Sequence, residues 1–235
     1  MCRENGKVVL CQLIGSEPAL WSKRALLEPA SWLHQQVDTL SECIKLAAKG
    51  DTQAAREKVK KEMLDRALHD WFGQHADHSG RGRALVLGHP KPHPSLYKNG
   101  GPPKTLEKEV FKRDGYRCRY CEIRVILPEV LKVFSAVMGK DIFPYGASAR
   151  ERHGATRVYP ASPDHVIPKG RLEDPNTEEN LVTACWPCQF GKMEFTLEQV
   201  GLENPFDRSP ISDDWDGLSS LVPQLQLVVA RSTAA

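Results

Sequence analysis

The stretch "DHVIPKGRLEDPNTEENLVTACWPCQF", residues 164–190, opens on an Asp-His dipeptide, holds an Asn at 180 and closes on a Cys-x-x-C pair. A second pair of the same spacing, "CRYC" from Cys118 to Cys121, lies far upstream. Two such pairs can close a tetrahedral sphere around zinc, because each spans a tight turn whose sulfurs converge on one ion. The distance from Cys121 to Cys185 exceeds that of a simple zinc ribbon, so the metal would staple two distant segments and present what lies between them. The chain has seven Cys, an odd number. That count fits a metal site in a reducing compartment better than a disulfide framework and leaves Cys2, Cys11 and Cys43 as free thiols.

Working outward, Val37, Leu40, Ile44 and Ala47 recur at helical spacing, Gly50 closes that helix, and Asp51 or Thr52 can cap the next. A second stripe, Ala55, Val59, Met63, Ala67, Leu68 and Trp71, runs to Gly73 and predicts an antiparallel helix pair. From His75 to Pro103 the composition turns to Gly, Pro, His and basic residues without any period, which reads as a linker or irregular arm. Its histidines (His75, His78, His89, His93) lack a companion ligand set. "KTLEKEVFKRDG" predicts a helix with Leu106, Val110 and Phe111 inward, and another helix starts near Pro128. "RVYPASPDHVIP" reads as a strand pair with a Pro-rich turn, "NLVTAC" as a strand or turn, and "QFGKMEFTLEQV" as a helix interrupted by Gly. The organisation expected is a helical region over 1–75, a basic arm over 76–103, a domain holding both Cys pairs with an enlarged insertion over 104–205 and a tail over 206–235.

An apolar fraction of 40% supports a packed core, and the net charge is only +2. The charges are nevertheless segregated: Arg81 to Arg119 holds ten Lys/Arg against three Asp/Glu, and Arg171 to Gly217 holds three against eleven. Such a block is either a surface for a polyanion or a solvated charged face. No apolar run reaches the ~18 residues of a membrane span and no secretory signal is visible, so a soluble cytoplasmic protein is expected.

Asp164 and His165 are adjacent, so on an extended strand their side chains leave opposite faces, while in a turn one can hold a cation as the other meets a water. Taken with its neighbours the pair gains meaning. "VFKRDGYRCRYC", "DHVIP", "ENLVTACWPC" and a Lys four residues past the last Cys resemble the HNH endonuclease family in its zinc-stapled form. The resemblance spans about Lys104 to Lys192, with an enlarged segment between Cys121 and Asp164. It implies an α+β fold, mostly helical, with a ββα-metal core and a four-cysteine zinc staple of Cys118, Cys121, Cys185 and Cys188. It assigns Asp164 to a divalent cation, His165 to the general base and Asn180 to holding the His165 loop; read locally, Asn180 is a turn or cap residue.

The family's final metal ligand, usually His or Asn directly after the last Cys, is here Gln189, whose amide oxygen sits on a longer stem. His153 is a spare ligand candidate, otherwise a surface residue. An all-oxygen protein shell favours Mg²⁺ or Mn²⁺ beside the structural Zn²⁺. DNA is the implied partner, with Lys112, Arg113, Arg117 and Arg119 on its phosphates and Lys192 near the cleaved strand. The N-terminal helices are expected to position the enzyme or to join a larger ATPase or defence complex. The competing expectation is a zinc-stapled nucleic-acid-binding module without catalysis.

Overall fold

Residues 2–4, 7–9, 28–73, 100–148 and 151–233 are described by a computed structural model. The thiols of Cys2 and Cys11, the four histidines from His75 to His93 and nearly all of the 76–103 arm lie outside these residues. At the N-terminus β1 (Cys2–Glu4) and β2 (Lys7–Val9) form an antiparallel pair.

Helix α1 (Ser31–Ala48) buries Val37, Leu40, Ile44 and Ala47, the stripe its spacing predicts, and adds Leu33 one turn earlier. Gly50, at φ 89°, makes the turn, and the Asp51 carboxylate caps α2 (Thr52–Glu62) by accepting the Ala54 N–H at 3.2 Å. The single second helix expected through Gly73 is two, α2 and α3 (Asp65–Gly73). Gln36 of α1 explains the break. Its amide donates to the Glu62 carbonyl at 3.0 Å and accepts the Leu64 N–H at 2.7 Å, satisfying backbone groups that an interrupted helix leaves orphaned. The change of direction keeps Met63, Leu68 and Phe72 in the core.

Helix α4 (Lys104–Arg113) buries Val110 and Phe111 and ends before Gly115, whose φ of 61° a side chain would strain. Helix α5 (Pro128–Met138) starts on its proline, as the sequence predicts, and stops at Gly139. The "RVYPASPDHVIP" segment is not a strand pair: it holds the end of a short helix, α6 (Ala155–Val158), and one strand, β3 (Ala161–His165). Prolines at 160 and 163 remove the N–H donors a local hairpin would need. β3 instead pairs antiparallel with β4 (Leu181–Cys185), in a register running from Ala161 opposite Cys185 to His165 opposite Leu181. The chain passes directly from β4 into α7 (Trp186–Lys192), which starts ahead of the expected Gln189, contains Gly191 and is ended by Met193 at φ 55°. A capping box of Thr196 and Gln199 opens α8 (Leu197–Val200).

The 206–235 stretch, read as a tail, contains α9 (Val222–Thr233), which packs on α5 and α1 and fully buries Leu225. Trp215 precedes it and donates its indole N–H to the Val125 carbonyl at 2.9 Å. The molecule is thus α+β and mostly helical, and its core is continuous from α1 through α5 and the β3–β4 hairpin to α9. Tyr159 ties the N-terminal helices to this body by donating to the Leu33 carbonyl at 2.8 Å, as does an Arg56–Asp141 ion pair at 2.7 Å. No described helix is long and apolar enough to cross a membrane.

Candidate metal centre and adjoining cavity

The two Cys pairs meet. Cys118 and Cys121 sit in a tight turn in which the Cys118 N–H donates to the Ile123 carbonyl at 2.9 Å and the Glu122 N–H to the Cys118 carbonyl at 2.8 Å. Cys185 ends β4, and Cys188 lies in the first turn of α7. All four residues are buried and their sulfurs lie within 4.8 Å of one another. The Cys121 and Cys185 sulfurs are 3.7 Å apart, far beyond the ~2.05 Å of a disulfide. That separation matches the edge, about 3.8 Å, of a tetrahedron built on Zn–S bonds of about 2.3 Å. Burial pushes the Cys185 thiol well above its ordinary range, while hydrogen bonds from the other three thiols, acting against burial, hold Cys118 well below it, so the four sulfurs share protons as a set. The cluster could hold a metal such as zinc. The Arg119 N–H, donating to the Thr183 carbonyl at 2.8 Å, pins the first pair to β4.

At the other end of the hairpin, Asp164 is buried, and its Oδ2 accepts the Tyr120 hydroxyl at 2.6 Å and lies 3.2 Å from the Lys192 ammonium. Lys192, expected beside DNA, is instead interior: it is 1% exposed, and its Nζ also donates to the His165 carbonyl at 2.8 Å. The reason is its place in the last turn of α7, which lies against the hairpin. Burial, then the Asp164 charge, hold the Tyr120 hydroxyl well above its ordinary range, so it stays a proton donor to the carboxylate. Sequence reasoning passed over Tyr120, which lies between two Cys of the motif and shows its role only through a contact 44 residues away.

His165 is half-buried, and its Nε2 lies 2.9 Å from Asn176 Oδ1. With that oxygen accepting, Nε2 carries the ring proton and Nδ1 keeps the lone pair. Burial depresses the His165 pKa below the ordinary histidine value; the Asn176 bond and Asp164 oppose the shift, and Lys169 and Lys192 add to it. The imidazole is therefore neutral over a wider pH range than a free histidine. Asn180 spans the 166–180 loop, accepting the Ile167 N–H at 2.8 Å and donating to the Ile167 and Pro175 carbonyls at 3.0 Å. Asp164, His165 and Gln189 line one cavity of about 400 Å³, together with Lys169, Phe190 and Glu194. Gln189 donates its amide N–H to the Pro163 carbonyl at 3.2 Å, which orients the side chain along the cavity wall.

His153 is buried rather than on the surface. It stacks on Phe143 with centroids 4.5 Å apart and its Nδ1 accepts the Ala155 N–H, while burial lowers its pKa to about 4.

Three arginines of the basic block are spent inside the molecule. Arg113 binds Asp114 and the Leu181 carbonyl, Arg117 meets Asp213 at 2.5 Å, and Arg119 is 8% exposed and donates to the Pro205 and Arg208 carbonyls. Asp114, 1% exposed, is the hub: its Oδ2 also accepts the Thr183 N–H at 2.7 Å. Lys108 and Lys112 remain exposed on α4 and make no ion pair among the described residues. Compared with known proteins, the chain matches no family model, no curated protein and no solved structure.

Proposed function

We propose that the chain is a metal-dependent endonuclease of the HNH type that hydrolyses DNA phosphodiester bonds. The observation that supports this most is the convergence of Asp164, His165 and Gln189 on one cavity at the end of a β-hairpin that runs straight into a helix. The four buried cysteines at the hairpin's other end are read as a structural zinc site, closed by protein.

Asp164 fits a hard divalent cation in part. Both its hydrogen-bond and ion-pair contacts fall on Oδ2, and Oδ1 has no protein partner among the described residues. One carboxylate oxygen and one amide oxygen suit Mg²⁺ or Mn²⁺, which retain water ligands. Such an ion, when bound, would stabilise charge on the phosphate and on the leaving oxygen. The chain's own groups do the rest. His165 Nδ1 takes the proton of a water, the water oxygen bonds to phosphorus, and the bond from phosphorus to the 3′ oxygen breaks, leaving a 5′ phosphate and a 3′ oxygen that takes a proton from solvent to become the 3′ hydroxyl. Asn176 holds the ring and Asn180 holds the loop that carries it.

The Lys192 ammonium beside Asp164 supports a second reading, a nucleic-acid-binding module whose cation site is already neutralised. Incubating purified protein with supercoiled, linear and single-stranded DNA, with and without Mg²⁺ or Mn²⁺, separates the two. Divalent-dependent cleavage abolished by His165→Ala supports the enzyme; binding without cleavage under every condition supports the module.

A further inference from the structure

One wall of the cavity is aromatic in a way the proposed hydrolysis does not require. Phe190 is 47% exposed although it belongs to α7, the helix that also carries Gln189. Its ring is fixed from two sides, by Trp186 at 5.6 Å between centroids and by Phe72 of α3 at 5.6 Å in an edge-to-face arrangement. Guanidinium groups flank both supports: Arg152 lies 5.4 Å from the Trp186 ring centroid and Arg157 lies 4.0 Å from that of Phe72. The ring thus has little freedom to lose on binding, and it keeps 47% of its surface exposed where it lines the cavity.

Open water gives a ring in this position no stabilisation, whereas a planar, π-rich partner would stack on it, and anionic groups joined to that partner would meet Lys169 in the same cavity. An unpaired nucleobase with its flanking phosphates has that chemistry. A paired base does not, because its faces are covered by the stack. We infer that Phe190, backed by Trp186 and Phe72, is a stacking platform for an unpaired base next to the cleavage cavity. Single-stranded or locally opened DNA is then the preferred substrate. This specificity rests on the nuclease reading, but the platform itself does not.

The test measures binding and cleavage separately. Fluorescence anisotropy of a labelled single-stranded oligonucleotide and of its duplex, without added divalent ions, is compared for wild type, Phe190→Ala and Phe190→Tyr. Wild type should prefer the single strand. Phe190→Ala should weaken single-strand binding by about tenfold, the scale of one lost stacking contact. The duplex should change little, and Phe190→Tyr should keep wild-type affinity. Phe190→Ala with unchanged single-strand affinity, or with equal losses for single strand and duplex, overturns the platform. Cleavage assays on the same proteins keep the two ideas apart. An inert wild type that still shows the Phe190-dependent single-strand preference removes the nuclease and leaves the platform. A wild type that cleaves duplex and single strand alike, with no Phe190 dependence, does the reverse.

Discussion

The two ends of the β3–β4 hairpin are built on opposite principles although only five residues of strand separate them. At the Cys185 end, four buried sulfurs face one another. At the His165 end, a buried carboxylate, a half-buried imidazole and an amide line an open cavity. The closed end suits a metal whose ligation contributes to folding; the open end suits an exchangeable ion and a substrate. One short hairpin can therefore carry a rigid anchor and a reactive mouth, the first fixing the geometry of the second.

The largest effect should come from breaking the closed end. Cys185→Ser is expected to abolish stoichiometric zinc and to prevent stable folding, since structural zinc ligation is worth on the order of 10 kcal/mol. Elemental analysis and thermal melting read this directly, and a well-folded, zinc-free wild type would refute it.

At the open end the outcome should invert. His165→Ala should lower cleavage by at least about 100-fold, the scale of a general base, with zinc content and melting temperature nearly unchanged. In wild type the acid limb of the rate profile should fall below the ordinary histidine value, because burial depresses the His165 pKa and only the neutral ring accepts a proton. A limb at or above about pH 6.5 would contradict that assignment.

Asn180→Ala should sit between these extremes, coupling fold to reactivity. It removes three hydrogen bonds across the 166–180 loop, for a loss of about 1–3 kcal/mol in a denaturant titration. Faster amide exchange at Ile167 should accompany it. Asn176→Ala should do less to stability and should move the acid limb further down, since the lost bond is one that raises the His165 pKa. An upward shift would show that the bond opposes protonation instead.

The smallest change in stability is expected for Lys112→Glu, on the exposed face of α4. It should leave melting unaltered and reduce the salt slope of DNA binding by roughly one. Arg113→Glu makes the contrast, because it attacks the Asp114 hub and should destabilise the fold as well as change the charge.

Residue chemistry and local spacing determined a good part of this molecule in advance. The paired cysteines, the α1 stripe, the starts at Asp51 and Pro128 and the stops at Gly50 and Gly115 follow from constraints acting within a few residues, so they are visible in the chain itself. The same holds for the closeness of Asp164 and His165. Other features depend on partners distant in sequence. Gln36 breaks a helix 28 residues away, Tyr120 reaches Asp164 across 44, and Arg119 is consumed by carbonyls 86 and 89 residues on. A list of charges cannot show which are solvated and which are enclosed, so Arg113, Arg117 and Arg119 looked like surface until folding brought the acidic segment and its carbonyls against them. For Lys192 only tertiary structure could decide, because the hairpin and α7 together enclose an ammonium that sequence alone would leave in water.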